Sequence, residues 1–123
     1  MIVDDSRDAA DSVGFLLETM SCQTRVFYRG LQALHEAPDF MPQVALLDID
    51  LPDIDGCSLA RDLRAASNAH PITLIAITGW DKDVDRARAR AAGFDHYLVK
   101  PVSIHEVVDI LLRVAAARGP GCV

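Results

Sequence analysis

Lysine is nearly absent from this 123-residue chain: of twelve basic residues ten are arginine, and the lysines are Lys82 and Lys100 alone. A lysine placed at a strand end is therefore more informative here than in a lysine-rich protein. Glutamate is also scarce, three residues against fifteen aspartates. Aspartate is a poor helix-interior residue that favours caps and turns, so the acids are expected at loop ends. Cysteine occurs three times, as Cys22, Cys57 and Cys122. An odd number at wide spacing fits neither a zinc site nor a disulfide framework, and Cys22 and Cys57 read as small apolar residues. No apolar run approaches the roughly 20 residues that span a bilayer, and the N-terminus lacks the basic and apolar regions of a signal peptide. A cytoplasmic location without membrane contact by this domain is the expectation. The net charge of −6 argues against the basic groove that nucleic-acid binding needs.

Half of the residues are hydrophobic, enough core for one domain to fold alone. Short apolar runs mark strands at Met1–Val3, Thr24–Tyr28, Val44–Leu47, Ile72–Ile77 and Tyr97–Val99. Helical periodicity fills the gaps. Ala9, Val13, Leu16, Leu17 and Met20 make one apolar face, with Ser6 as its N-cap. Leu31 and Leu34 belong to a shorter helix expected to end before Pro38. Leu59 and Leu63 mark a third, starting near Gly56. A fourth runs from about Asp81 to Ala92 and stops at Gly93, with acids early and arginines late, as the helix dipole favours. The last begins at Ser103, with Glu106 completing a capping box, and buries Ile104, Val107, Val108, Leu111, Leu112 and Ala115. Five strands alternating with five helices imply an α/β fold, a parallel sheet covered on both faces. The domain is expected over residues 1–118, with 119–123 a C-terminal tail.

The segment Asp48-Ile49-Asp50-Leu51-Pro52-Asp53-Ile54-Asp55-Gly56 follows a buried strand directly. Asp48 thus emerges at the strand's carboxyl end, where open α/β sheets place their ligand sites. Asp4 and Asp5 follow the first strand in the same way, Thr78 and Gly79 the fourth, and Lys100-Pro101 the fifth. In a parallel sheet all of these share one edge. Three carboxylates brought close together repel unless a cation joins them, and a hard oxygen-loving ion such as Mg²⁺ answers that need. Asp48 would then be free to attack a phosphoryl group, with Lys100, Thr78 and the metal stabilising the developing charge. Gly79 leaves room for the approach. Asp53 and Asp55 read as solvated loop acids, Asp55 also as a cap for the helix after Gly56.

Together these motifs resemble the receiver domains of two-component response regulators over nearly the whole chain. The resemblance rests on Asp4-Asp5, on Asp48 with Pro52 and Gly56, on Thr78, and on Lys100-Pro101, in that order. It implies a flavodoxin-like, five-stranded parallel sheet in the order 2-1-3-4-5, and phosphoryl transfer onto Asp48 from a sensor histidine kinase or histidine phosphotransfer protein. It further implies Mg²⁺ (or Mn²⁺) held by Asp5 with Asp4, by Asp48 and by the backbone carbonyl of Asp50. Thr78 is similar to the switch hydroxyl and Tyr97 to the aromatic switch residue, and the Lys100-Pro101 bond is often cis in relatives. Trp80, two residues past Thr78, occupies a position that controls water access to the phosphoryl site. The downstream protein is not named by the sequence. Residues 92–101, preceded by 77–80, look like receivers fused behind hybrid histidine kinases, and the short first strand favours a domain cut from a longer protein.

One enzyme reading competes. Asp48-Ile49-Asp50 after a strand also resembles the first motif of haloacid-dehalogenase-type phosphatases, which form aspartyl phosphates too. Their second acidic pair follows the lysine, whereas Asp4-Asp5 precedes it here, and the chain is short and lacks a cap insertion. A degenerate receiver used only for docking would not need the full set of site residues.

Overall fold

The computed structural model describes residues 1–67, 71–79 and 83–118. Five strands alternate with five helices: β1 Ile2–Val3, α1 Arg7–Thr19, β2 Val26–Phe27, α2 Gly30–Phe40, β3 Val44–Asp48, α3 Gly56–Ser67, β4 Thr73–Thr78, α4 Asp83–Ala92, β5 His96–Val99 and α5 Ile104–Arg118. The strands form one sheet in the order β2-β1-β3-β4-β5, and every neighbouring pair is parallel. The expected architecture and strand order are both present. Among the described residues no helix is long and apolar enough to cross a membrane.

The pleat divides the core in two, because successive strand residues point to opposite faces. Val3, Ala45, Leu47, Leu74 and Ala76 pack with α2, α3 and α4. Ile2, Val44, Leu46, Ile75 and Ile77 pack with α1 and α5. β3 and β4, buried along almost their whole length, are therefore hydrocarbon on both faces and show no polar alternation.

Among the described residues helix boundaries follow the expectations except in α2, which continues through Pro38 to Phe40; the expected start of α4 near Asp81 lies outside them. Pro38 has no N–H to bond the carbonyl of Leu34 four residues back, so α2 lacks that bond near its C-terminus. The helix closes just beyond it, where Met41 donates its N–H to Ala37 O at 2.8 Å and turns left-handed, with φ of 52°. Leu31 is exposed and Leu34 packs against the core. In α1 the buried residues are Ala10, Gly14 and Leu17, while Leu16 and Met20 face solvent. Gly14 belongs to the buried face because a Cβ there would lie 2.8 Å from Val26 Cγ2. Ser6 is the N-cap residue by position, but its side chain makes no cap bond. In α5, Ile110 and Val114 join Val107 and Leu111 in the core, and Leu112 is exposed. Gly93 ends α4 with φ of 96°, as its place after the last periodic residue requires.

Candidate active site at the carboxyl edge of the sheet

Asp48 is the last residue of β3 and only 4% exposed, and Asp4 directly follows β1 at 3%. β1 and β3 are hydrogen-bonded neighbours, so the two carboxylates start from adjacent strands. Asp5, the next residue, is exposed. One carboxylate oxygen from each of Asp4, Asp5 and Asp48 lies within 4.8 Å of the others. Lys100 reaches the group from the end of β5. Its Nζ is 3.0 Å from Asp4 Oδ2 and 3.2 Å from Asp48 Oδ2. The Lys100-Pro101 peptide is cis, and the Lys100 N–H donates to Thr78 O at 2.8 Å.

Two backbone amides complete the arrangement. Asp50 N–H donates to Asp48 Oδ1 at 2.9 Å, and Ser6 N–H to Asp4 Oδ1 at 2.9 Å. Each carboxylate is thus oriented by the amide two residues on, a local turn that aspartate forms readily. Burial is the main influence on Asp48 and raises its pKa from 3.8 to about 6. The Asp50 amide and the Lys100 charge act downward, and the nearby Asp4 adds to the rise. Burial alone would lower the Lys100 ammonium, but its bond to Asp4 and the charges of Asp48 and Asp4 outweigh this, and the net shift is upward.

The spacing between Asp48 and Gly56 has a direct geometric cause. Gly56 opens α3 against the backbone at the end of β3. A Cβ on it would stand 2.4 Å from Ile49 Cα and 2.6 Å from Asp48 O. Only glycine lets the helix start this close. At Gly79 the reverse holds, with nothing within 4 Å of a Cβ, which is the open approach expected there.

Thr78 ends β4, fully buried, one position beyond the Asp48–Ile77 pair and adjacent to Val99. The pleat puts Asp4, Asp48 and Lys100 in phase with the α1/α5 face, and Thr78 in phase with Ala76 on the α2/α3/α4 face. Tyr97, opposite Ala76 in β5, is half-buried on that same face, with the Arg86 guanidinium 4.5 Å from its ring centroid. The two expected switch residues therefore share a side of the sheet with α4. Trp80 lies outside the described residues.

Sequence reasoning missed the contacts that hold the loop after Asp48. Asp53 accepts the Gly30 and Leu31 N–H groups at 3.0 and 2.9 Å, and this draws its pKa below the ordinary value although burial acts upward. Asp55 accepts the Cys57 N–H at 3.4 Å, the cap expected of it, but its pairing with Arg88 of α4 at 3.3 Å was not foreseen. No local pattern announces partners more than twenty residues away; the acid-rich loop was the only signal.

Comparison with known proteins agrees with this geometry. The model of the response regulator receiver domain family matches residues 1–112. The chain is 37% identical over 115 residues to the transcriptional regulatory protein CreB of Escherichia coli (strain K12), covering 91% of this chain and 49% of that protein. It is 31% identical over 119 residues to the sensory transduction protein RegX3 of Mycobacterium tuberculosis (strain ATCC 25618 / H37Rv), covering 97% of this chain and 51% of that one. The chain thus spans about half the length of these curated relatives. Among solved structures it is 31% identical to the signal receiver domain of a modulated diguanylate cyclase from Desulfovibrio desulfuricans G20, with a TM-score of 0.78 over 96% of this chain and 95% of that one. A CheY-like receiver domain from Methanospirillum hungatei JF-1 shares the fold, with a TM-score of 0.85 at 24% identity over 95% and 93% of the two chains. With strand order, acidic edge and a family match over residues 1–112 in agreement, the chain belongs to the response regulator receiver domain family.

Proposed function

We propose that Asp48 accepts a phosphoryl group from a phosphohistidine on a sensor histidine kinase or a histidine phosphotransfer protein, with Mg²⁺ (or Mn²⁺) bound beside it. The observation that carries this reading is the convergence of Asp4, Asp5 and Asp48 on one point, with Lys100 Nζ bridging two of them. Family membership makes the domain a signalling module rather than a conventional enzyme, and the phosphatase reading loses its ground.

The donor set suits a hard divalent ion: three carboxylate oxygens within 4.8 Å, one of them on an exposed residue that solvent and metal can reach. Asp4, Asp5, Asp48 and the Asp50 carbonyl would hold it. When bound, the ion neutralises the carboxylates and offsets charge on the phosphoryl oxygens. The chain's own groups do the rest. The Asp50 amide fixes one Asp48 oxygen, and Lys100 supplies a donor at the other. An Asp48 oxygen forms the new P–O bond as the P–N bond to the partner's imidazole breaks. The electron pair stays on that nitrogen, and the product is an acyl phosphate. Added charge at Asp48 then draws the Thr78 hydroxyl toward the phosphoryl oxygens, and Tyr97 and α4, on the same side of the sheet, respond. Trp80 limits water access to the acyl phosphate. Residues 1–118 form the receiver unit, and a place behind a hybrid histidine kinase accords with residues 92–101.

The test is incubation with Mg²⁺ and acetyl phosphate, followed by mass spectrometry to locate the phosphoryl group. Label on Asp48 that disappears in Asp48→Asn is expected. Label at the wild-type level in that variant would overturn the reading.

A further inference from the structure

Helix α2 begins without a cap of its own. Its N-cap residue is Arg29, whose side chain makes no cap bond. The first free amides are instead satisfied by Asp53, 22 and 23 residues away in the loop between β3 and α3. Both carboxylate oxygens are used, Oδ1 by Gly30 N–H at 3.0 Å and Oδ2 by Leu31 N–H at 2.9 Å. Hydrocarbon contact reinforces the junction. A Cβ on Gly30 would lie 2.3 Å from Ile54 Cγ2 and 3.2 Å from Leu51 Cδ1, so glycine admits the loop onto the helix end.

This loop also carries Asp50, whose amide orients Asp48 Oδ1 at 2.9 Å. Its far end is fixed by Gly56 against the Asp48–Ile49 backbone, next to the exposed Asp55 pair with Arg88. Between those anchors, Asp53 ties the middle of the loop to α2. An ordinary cap belongs to its own helix and stabilises that helix alone. A cap borrowed from the loop of the reacting aspartate couples helix and site.

We propose that Asp53 is a positioning residue for phosphoryl transfer: by capping α2 from outside, it holds Asp50 where its amide orients Asp48 and its carbonyl would be available to Mg²⁺. The inference rests on the phosphoacceptor reading above. Asp53 touches neither phosphoryl group nor metal and acts through Asp50. Loss of such outer support at a metal site typically weakens binding by tenfold or more.

The test measures Mg²⁺ affinity by calorimetry and the rate of labelling by acetyl phosphate, on the full chain at neutral pH. Four proteins are compared: wild type, Asp53→Ala, Asp53→Asn, and Val114→Ala. The last trims a buried side chain on the α1/α5 face, away from the loop. Asp53→Ala is expected to bind Mg²⁺ about tenfold more weakly and to label more slowly in proportion. Asp53→Asn keeps one acceptor oxygen but turns an NH2 toward the second amide, so its Mg²⁺ affinity should fall between wild type and Asp53→Ala. Val114→Ala should lower the melting temperature with Mg²⁺ affinity unchanged. Wild-type affinity in Asp53→Ala would reduce Asp53 to a helix cap and overturn the proposal. An equal loss of affinity in Val114→Ala would also overturn it, by assigning the effect to general loosening. Wild-type protein that neither binds Mg²⁺ nor labels at Asp48 would instead strike the phosphoacceptor reading, and this inference with it.

Discussion

Asp48 stands at the end of a strand whose other residues are hydrocarbon, so its carboxylate has lost most of its water. Burial raises its pKa from 3.8 to about 6, and the Asp50 amide and Lys100 offset this only in part. The folded state therefore holds the proton more tightly than the unfolded chain between those two values. In metal-free protein, stability should fall as pH rises through about 6, and the penalty should vanish below about 4. The shift corresponds to roughly 3 kcal/mol. Asp48→Asn keeps the shape and removes the charge, so in chelator at pH 7 it should melt above wild type. The gap should close as the pH approaches 4. A gap of the same size at both pH values would trace the gain to something other than charge. The glycines supply a second contrast. Gly56→Ala drives a Cβ into the Asp48–Ile49 backbone and should cost about 2–3 kcal/mol in urea unfolding. Gly79→Ala meets open space and should stay within about 0.5 kcal/mol of wild type. The motif spacing was legible in the sequence, but its cause was not, because the collision at Gly56 exists only once α3 starts against the end of β3.

Periodicity places the helices and strands, and its errors over burial have one source: apolarity does not say which flank of a helix meets the sheet. Leu16, Met20 and Leu112 fit an apolar stripe yet face solvent, whereas the small Ala10 and Gly14 are buried where α1 approaches the sheet. Pro38 predicts a stop that α2 overruns to Phe40. The link from Asp53 to α2 had no local signature, since its donors lie on another element. At this scale Asp53→Ala should cost about 1 kcal/mol at neutral pH, the usual worth of a cap. The folded carboxyl titrates below its ordinary value, so its contribution is present above that value and is lost as pH falls through the folded one. The difference from wild type in chemical unfolding should therefore shrink in strong acid. A difference that persists there would argue that the amides of Gly30 and Leu31 gain nothing from the charge. The Arg88–Asp55 pair joins the same loop to α4 across an exposed surface. A double-mutant cycle on it should give less than about 1 kcal/mol, so it guides the loop rather than anchoring it.

For the whole molecule, the parallel sheet followed from strand–helix alternation, but the order 2-1-3-4-5 came only from the resemblance, because periodicity carries no pairing information. That order is what makes the site, since it sets β1 beside β3 and so brings Asp4 to Asp48 across 44 residues of sequence. The net charge of −6 complicates any claim of metal binding, because divalent cations screen self-repulsion wherever they collect. A specific site predicts more than screening. An ion that binds the folded state alone stabilises it by mass action, about 1.4 kcal/mol at a tenfold excess over the dissociation constant. For a domain of this size that is a rise of roughly 5 °C in melting temperature. Mg²⁺ should produce this rise in wild type and lose most of it in Asp5→Asn, whose exposed carboxylate does not support the core. Asp39→Asn, outside the carboxylate group, alters net charge equally and should keep the full rise. If both variants respond like wild type, Mg²⁺ acts through screening alone and the carboxyl edge holds no ion. If only Asp5→Asn fails, three aspartates brought together by strand order are the ion's site.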